Sequence, residues 1–106
     1  GHGWRKLMRH PASFTYRMTA IPPVPPVLAF MQAEARMDAA EAYGSLNMGA
    51  GFALFVPPEA VAAVIGTSER LGIAAMDAGR VEEGPKEVII EPLAVSYAGE
   101  SLNLRA

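Results

Sequence analysis

A dense proline run restricts the folds that this chain can adopt. Four of the five residues from position 22 to position 26 are proline. Each proline fixes φ at about −65° and has no backbone N–H to donate, so the run is predicted to be stiff and extended and is excluded from a central strand. Pro26 suits the first turn of a helix. The run therefore predicts the end of the element before it and a helix start after it.

The periodicity on either side of the prolines agrees with this division. Residues 13–20 alternate, with Phe14, Tyr16 and Met18 sharing one face, which is typical of a half-buried strand. After the prolines the apolar side chains recur at helical spacing. These helix positions are Val27, Phe30, Met31 and Ala35.

A second helix start follows. Asp38 and Glu41 have the spacing of a capping box, in which a side-chain oxygen and a carboxylate three residues later bond reciprocally to the backbone. We expect a short helix that runs to Tyr43 and stops at Gly44.

The second half of the chain predicts strands that return after helices. We expect strands over residues 52–56, 73–81 and 87–92, a turn over residues 83–86, and a weaker strand pair over residues 94–104 that turns at Gly99. Pro57, Pro58 and Glu59 favour a helix start, and Gly72 is suited to the helix end. This order predicts an α+β fold. In the helix expected between Glu59 and Gly72, one face is traced by Val61, Val64, Ile65, Ser68 and Leu71.

Composition excludes several classes of protein. The chain has 106 residues, which make one domain or part of one. Its net charge of −2 argues against nucleic-acid or membrane-surface partners, and its lack of cysteine excludes disulfides and thiolate metal sites. We find no signal-peptide pattern and no membrane-spanning run, so we expect a cytoplasmic protein. The start Gly1-His2-Gly3, without methionine, suggests an excised or processed piece of a larger protein.

Two glycine-rich segments are the candidate binding elements. Gly1, His2 and Gly3 precede a short basic helix, where free amides, Arg5 and Lys6 could bind an anion; the alternative is a tight turn followed by a solvated helix face. Asn47, Gly49 and Gly51 precede an apolar segment, and glycine lets a backbone approach a ligand closely. The Asn47 side chain could bond a substrate amide or phosphate, or it could close an Asx turn within its own loop.

The remaining polar residues give no self-sufficient catalytic set. His2 and His10 have no partner at metal or catalytic spacing, and we expect Trp4 to pack in the core, with base stacking as the alternative. We predict no metal site within the chain and no catalytic residue. Glu82 and Glu83 are expected to be solvated. The carboxylates considered are Asp38, Glu41, Asp77, Glu82, Glu83 and Glu91.

Three motifs carry a family resemblance. The stretch from Glu41 to Phe52 is similar to a core that reads roughly EMYRTFNMGIGM, and it is preceded by a proline run and followed by Pro57-Pro58-Glu59. Residues 72–81 resemble the pattern GExAWxIGxV, and residues 88–91 resemble a closing strand. Together they resemble the C-terminal domain of aminoimidazole ribonucleotide (AIR) synthase, also called phosphoribosylformylglycinamidine cyclo-ligase. The segment from Gly1 to Gly3 occupies the place of the family's glycine triplet.

The resemblance implies a mixed, mainly antiparallel sheet with helices packed on one face. It also implies ATP-dependent ring closure in purine biosynthesis, from formylglycinamidine ribonucleotide to aminoimidazole ribonucleotide, in a homodimer. An N-terminal domain outside this chain would supply most contacts to ATP and Mg²⁺, so the chain alone would be inactive. In this reading the substrate and phosphate contacts from this side are Gly1, His2, Gly3, Asn47, Gly49 and Gly51.

One segment departs from the family pattern. Where the family has roughly Glu-Asn-Ile-Pro-Arg after its glycines, this chain has basic and apolar residues from Arg5 to His10. Two alternatives therefore stay open: another ATP-using enzyme of the same superfamily, of the thiamine-phosphate kinase or hydrogenase-maturation kind, and a non-catalytic dimerisation or ligand-binding module.

Overall fold

A four-stranded sheet forms the centre of the fold. The computed structural model describes residues 2–101, and its strands are β1 (Phe14–Met18), β2 (Gly79–Glu83), β3 (Glu87–Ile90) and β4 (Val95–Ala98). They lie in the order β2-β1-β3-β4. β1 is antiparallel to β2 and parallel to β3, and β3 is antiparallel to β4. The prediction of an α+β fold with a mixed, mainly antiparallel sheet is confirmed.

The three α-helices lie, along the chain, between β1 and β2. The α-helices are α1 (Pro26–Glu34), α2 (Ala39–Ser45) and α3 (Val61–Arg70). Short 3₁₀ helices span Gly3–Met8, Pro58–Ala60, Glu91–Leu93 and Gly99–Ser101. The predicted helix starts at Pro26 and after Asp38 are confirmed, and a 3₁₀ turn at Pro58 leads into α3. Within residues 2–101 no helix has the length and apolar character needed to cross a bilayer.

The cap of α2 has the predicted form. The Asp38 carboxylate accepts a hydrogen bond from the Glu41 amide at 2.8 Å, and the Glu41 carboxylate accepts one from the Asp38 amide at 3.4 Å. The predicted stop at Gly44 is wrong, because α2 continues to Ser45. Gly44 is buried, and a Cβ there would lie 3.2 Å from the Tyr97 ring. This glycine therefore permits close packing of α2 against β4.

One face of the sheet carries the core. Tyr16 and Met18 of β1 point to the same side as Val88 and Ile90 of β3, and α2 and the N-terminal 3₁₀ helix cover them. Alternation places these four side chains together because successive residues of a strand face opposite sides. The buried residues contributed by the covering segments are Trp4, Met8, Ala42, Tyr43 and Met48.

One predicted strand is absent and another is shorter than predicted. Residues 52–56 form no strand, and Phe52 is 86% exposed. The predicted strand over residues 73–81 is wrong in its first part, since the chain enters the sheet only at Gly79. A strand requires a partner strand for its backbone hydrogen bonds, and among residues 2–101 neither residues 52–56 nor residues 73–77 pair with one. The second strand of the predicted pair over residues 94–104 lies largely outside the described residues.

The predicted face of α1 is exposed within residues 2–101, and that of α3 is only partly buried. Neither helix has a buried residue. Val27 and Phe30 of α1 are 63% and 64% exposed, and Leu71 after α3 is 71% exposed. Helical spacing therefore located both helices. In α3 it also identified the partly buried side, Leu71 apart, whereas the predicted face of α1 is exposed.

Candidate functional site

A tight turn at residues 47–50 is the centre of the candidate site. The Ala50 amide donates to the Asn47 carbonyl at 3.0 Å. Both central residues have positive φ, 49° at Met48 and 97° at Gly49, as in a type I′ turn. Two left-handed residues in succession make this a defined backbone shape rather than a loose glycine loop.

Burial holds Met48 in its unfavourable conformation. Left-handed φ costs a residue with a Cβ about 1–2 kcal/mol. The Met48 side chain is fully buried, and burying a methionine contributes about 1.5–3 kcal/mol. Met48 is therefore both the strained residue of the turn and the residue that anchors the turn in the core.

The proline run forms the other wall of the turn. A Cβ on Gly49 would lie 2.7 Å from the Pro23 carbonyl oxygen and 2.9 Å from Pro25 Cδ. Gly49 is thus required by its positive φ and by this close approach. The two sequence features singled out separately, the prolines and the glycine segment, are in contact.

The Asn47 side chain closes an Asx turn. Its Oδ1 accepts a hydrogen bond from the Gly49 amide at 2.9 Å. Because an amide N–H requires an acceptor, this bond identifies the oxygen and leaves Nδ2 as the outward donor. Asn47 is exposed, and Nδ2 has no hydrogen-bond partner among residues 2–101. Of the two interpretations of Asn47, the structure contains the Asx turn, and the free amide donor still permits a ligand contact.

The N-terminal glycine segment lies next to this turn. Gly3 has a φ of 52°, and a Cβ there would fall 2.2 Å from the Tyr43 carbonyl oxygen, so its backbone packs directly on α2. The neighbouring Trp4 Nε1 donates to the Asn47 carbonyl at 2.8 Å. Trp4 thus connects the segment at Gly3 to the Asn47 turn, whereas His2 and Gly3 are not among the residues that line the cleft described below. Gly1 lies outside the described residues.

His2 is a poor cation at this position. Partial burial lowers the pKa of its imidazole, and the positive charges of Arg5 and Lys6 lower it further. Its carbonyl accepts bonds from the Arg5 amide at 3.1 Å and from Arg5 Nε at 3.3 Å. At neutral pH the His2 ring is thus suited to a neutral hydrogen bond.

An open cleft of about 560 Å³ lies between the start of α1 and the turn. This volume is in the range of small-molecule sites. Gly51 is exposed at its edge, and a Cβ on Gly51 would contact nothing within 4 Å. The walls are mostly apolar, with Asn47 and Ser45 as polar groups. The lining residues are Pro25, Val27, Leu28, Ser45, Leu46, Asn47, Gly49 and Gly51.

Sequence reasoning identified the glycine side of this cleft and missed the opposite wall. Val27 was assigned to a helix face, and neither Leu28 nor Ser45 was given a role in binding. The available signal was the proline run, which fixes where α1 begins and hence where Val27 and Leu28 stand.

A second, smaller depression of about 210 Å³ lies on the other side of the α2 end. Arg5 Nε donates to the Gly44 carbonyl at 3.0 Å, and the Tyr97 hydroxyl donates to the Ala40 carbonyl. Burial raises the pKa of Tyr97 to about 12. These contacts fix α2 in place, and no pattern in the sequence indicated a role for Tyr97.

The carboxylates on the sheet form ion pairs. Glu82 bonds Arg17 and Arg80, each at 2.8 Å, and Arg17 also bonds Glu91 at 3.0 Å. The bonds from Arg80 and Arg17 lower the pKa of the Glu82 carboxyl. The prediction of a solvated Glu82 is wrong, because this side chain is half-buried in the pairs, whereas Glu83 is exposed. Across residues 2–101 no three histidine or carboxylate side chains are grouped to hold a metal ion.

Residues 14–91, from β1 to just beyond β3, match the family described as AIR synthase related protein, C-terminal domain. The chain belongs to this family, which confirms the resemblance. The match spans the proline run, the Asn47 turn and three of the four strands.

Individual relatives have one name in common. The chain is similar to the phosphoribosylformylglycinamidine cyclo-ligase of Rippkaea orientalis, with 36% identity over 66 residues, covering 62% of this chain and 19% of that protein. The enzyme of the same name from Bacillus velezensis is 33% identical over 81 residues, covering 76% and 21%. That of Methanococcus vannielii is 29% identical over 105 residues, covering 96% and 30%. The chain thus spans less than a third of the length of these curated relatives.

Proposed function

We propose that this chain is part of the C-terminal domain of an ATP-dependent cyclo-ligase of purine biosynthesis. The reaction is closure of formylglycinamidine ribonucleotide to aminoimidazole ribonucleotide. The observation that carries the proposal is the Asn47 turn: the motif most specific to the family forms a rigid turn that borders a ligand-sized cleft. The names of the relatives support the same reaction.

The cleft residues act by binding and orientation. The amides of Gly49 and Ala50 are engaged by Asn47, so neither is a free donor for a phosphate. The donor offered to a substrate or phosphate oxygen is therefore Asn47 Nδ2, with the exposed backbone at Gly51 beside it. Since the Asx turn holds the Asn47 amide before a ligand arrives, little ordering is required on binding.

His2 and Gly3 complete the same side of the site. The half-buried His2 imidazole is held neutral, so its contribution is a hydrogen bond rather than a charge. Gly3 contributes by letting this segment pack on α2 without a side chain in the way. With Gly1 they form the second substrate-binding segment of the proposal.

ATP would transfer a phosphoryl group to the formyl amide oxygen and leave as ADP. An internal nitrogen would then attack the activated carbon, and phosphate would leave to give the imidazole. Residues 2–101 hold no cluster suited to Mg²⁺, so we assign the metal and most nucleotide contacts to a separate N-terminal domain of the same protein. This chain closes the cleft on the side opposite that N-terminal domain, and the apolar wall of the cleft excludes water. We further propose a cytoplasmic homodimer.

The test is ADP release by the protein that joins this chain to that N-terminal domain. ATP, Mg²⁺ and formylglycinamidine ribonucleotide are supplied, and the imidazole product is measured alongside ADP. Substrate-stimulated ADP release with matching product is the expected result. ADP release that the substrate does not stimulate would remove the cyclo-ligase assignment.

A second candidate is a different ATP-using enzyme of the superfamily. Arg5 Nε donates a hydrogen bond to the Gly44 carbonyl, and Met8 is buried. The segment from Arg5 to His10, which departs from the family pattern, therefore contributes to packing in this chain. Stimulation of ADP release by another substrate would favour this candidate. If no substrate stimulates it, the non-catalytic module is favoured.

A further inference from the structure

The single tryptophan of the chain joins the two glycine segments. Trp4 is 6% exposed, and its ring packs edge-on against Tyr43 with centroids 5.2 Å apart. A buried indole N–H needs an acceptor. It finds one far away in sequence, the Asn47 carbonyl at 2.8 Å.

The Trp4 hydrogen bond is made to Asn47, the first residue of the turn. The Asn47 carbonyl accepts from Trp4 Nε1 and from the Ala50 amide, while Asn47 Oδ1 accepts from the Gly49 amide. Both acceptor groups of Asn47 are therefore fixed by the protein. The direction of the remaining donor, Nδ2, follows from those three bonds.

The turn needs such support because its backbone is strained. Met48 has a φ of 49°, and a non-glycine residue stays in that region only where its surroundings hold it. Burial of Met48 holds the middle of the turn, and the indole N–H holds its first residue. Among residues 2–101, loss of the Trp4 bond leaves Asn47 with hydrogen bonds inside its own turn alone.

We propose that Trp4 is a positioning residue for the substrate site at Asn47. Trp4 does not line the cleft; it acts through the Asn47 carbonyl to aim the Asn47 amide donor and to hold the segment at His2 and Gly3 in register with the turn. The ligand role rests on the proposed function, whereas the link between Trp4 and the turn is testable without any ligand.

Trp4→Phe keeps an aromatic ring and removes the N–H. A matched control is Tyr97→Phe, which also deletes one side-chain donor to a backbone carbonyl, that of Ala40, on the far side of α2. Should Trp4→Phe fail to fold, benzothienylalanine at position 4 keeps the shape of tryptophan and lacks the N–H. Amide hydrogen exchange of Gly49 and Ala50 in the chain is followed by NMR.

We expect exchange of the Gly49 and Ala50 amides to be roughly fivefold faster without the indole N–H, the effect of one lost hydrogen bond, and unchanged in Tyr97→Phe. In the two-domain protein, the affinity for ATP–Mg²⁺ and formylglycinamidine ribonucleotide should fall roughly five- to tenfold in the Trp4 variants alone.

Unchanged exchange in the Trp4 variants overturns the inference. Faster exchange with wild-type ligand affinity also overturns it, since Trp4 would then be structural only. If the wild-type protein binds neither nucleotide, the proposed function fails, and the exchange data alone decide whether Trp4 holds the turn.

Discussion

The Gly49 amide donates to Asn47 Oδ1 at 2.9 Å, and this one bond separates two roles of Asn47. The oxygen holds the turn, and the nitrogen is left to face a ligand. Asn47→Asp keeps an acceptor for Gly49 and replaces the donor with a negatively charged oxygen.

We expect Asn47→Asp to unfold at a denaturant concentration near that of the wild type and to lose tenfold or more in affinity for phosphorylated ligands, because a carboxylate repels phosphate. Asn47→Ala should lose both stability and affinity. Urea titration and isothermal calorimetry measure the two effects. Asp38→Asn is an isosteric control outside the cleft; equal affinity losses in it and Asn47→Asp would contradict the assignment.

Gly49 and Gly51 of the same segment differ in what an added methyl group would meet. Gly49→Ala should destabilise the fold by about 1–3 kcal/mol, because it combines positive φ with a clash against the Pro23 carbonyl. Gly51→Ala should be nearly neutral, since a Cβ there meets nothing within 4 Å. Chemical denaturation of both variants checks this. Similar stabilities would mean that the Pro23 contact is unimportant.

The capping box of α2 gives a prediction about stability alone. Asp38→Ala removes the bond to the Glu41 amide and should cost about 1 kcal/mol. Asp38→Asn should retain most of it, because asparagine caps as well as aspartate. Thermal unfolding monitored by circular dichroism distinguishes the two. A loss of equal size in both variants would show that charge, rather than capping, matters at this position.

Tyr97 should make the fold sensitive to alkaline pH. Its pKa is raised from 10.0 to about 12, chiefly by burial, and its neutral hydroxyl donates to the Ala40 carbonyl. A raised folded pKa contributes stability that is complete below pH 10 and is lost as the pH rises toward 12. Unfolding titrations between pH 9 and 12 should therefore show a steeper loss in the wild type than in Tyr97→Phe. Parallel curves would contradict this role.

Local signals in the sequence predicted the local structure well. The alternation around Tyr16 located β1, and the capping box at Asp38 formed as expected. Gly72 ends α3 with a φ of 77°, and the Ile73 amide bonds the Ser68 carbonyl across it. Each of these features depends on residues within a few positions of one another.

The predictions that failed depend on contacts between residues that are distant in the sequence. The segment around Phe52 has strand propensity, but propensity does not create a partner strand. Gly44 resembles a helix stop, yet Tyr97 makes it a packing position. For Asn47 the sequence left the Asx turn and a ligand contact open, because both use the same side chain. The prediction that Trp4 packs in the core is confirmed, whereas its bond to Asn47 had no sequence signal.

The position of β1 has a consequence for biosynthesis. β1 is translated well before β2 and β3, the two strands with which it pairs. Pairings between remote parts of a chain form slowly. The nascent β1 therefore lacks both of these partners until β2 has emerged, and during that interval its edges are open to chaperones or to aggregation.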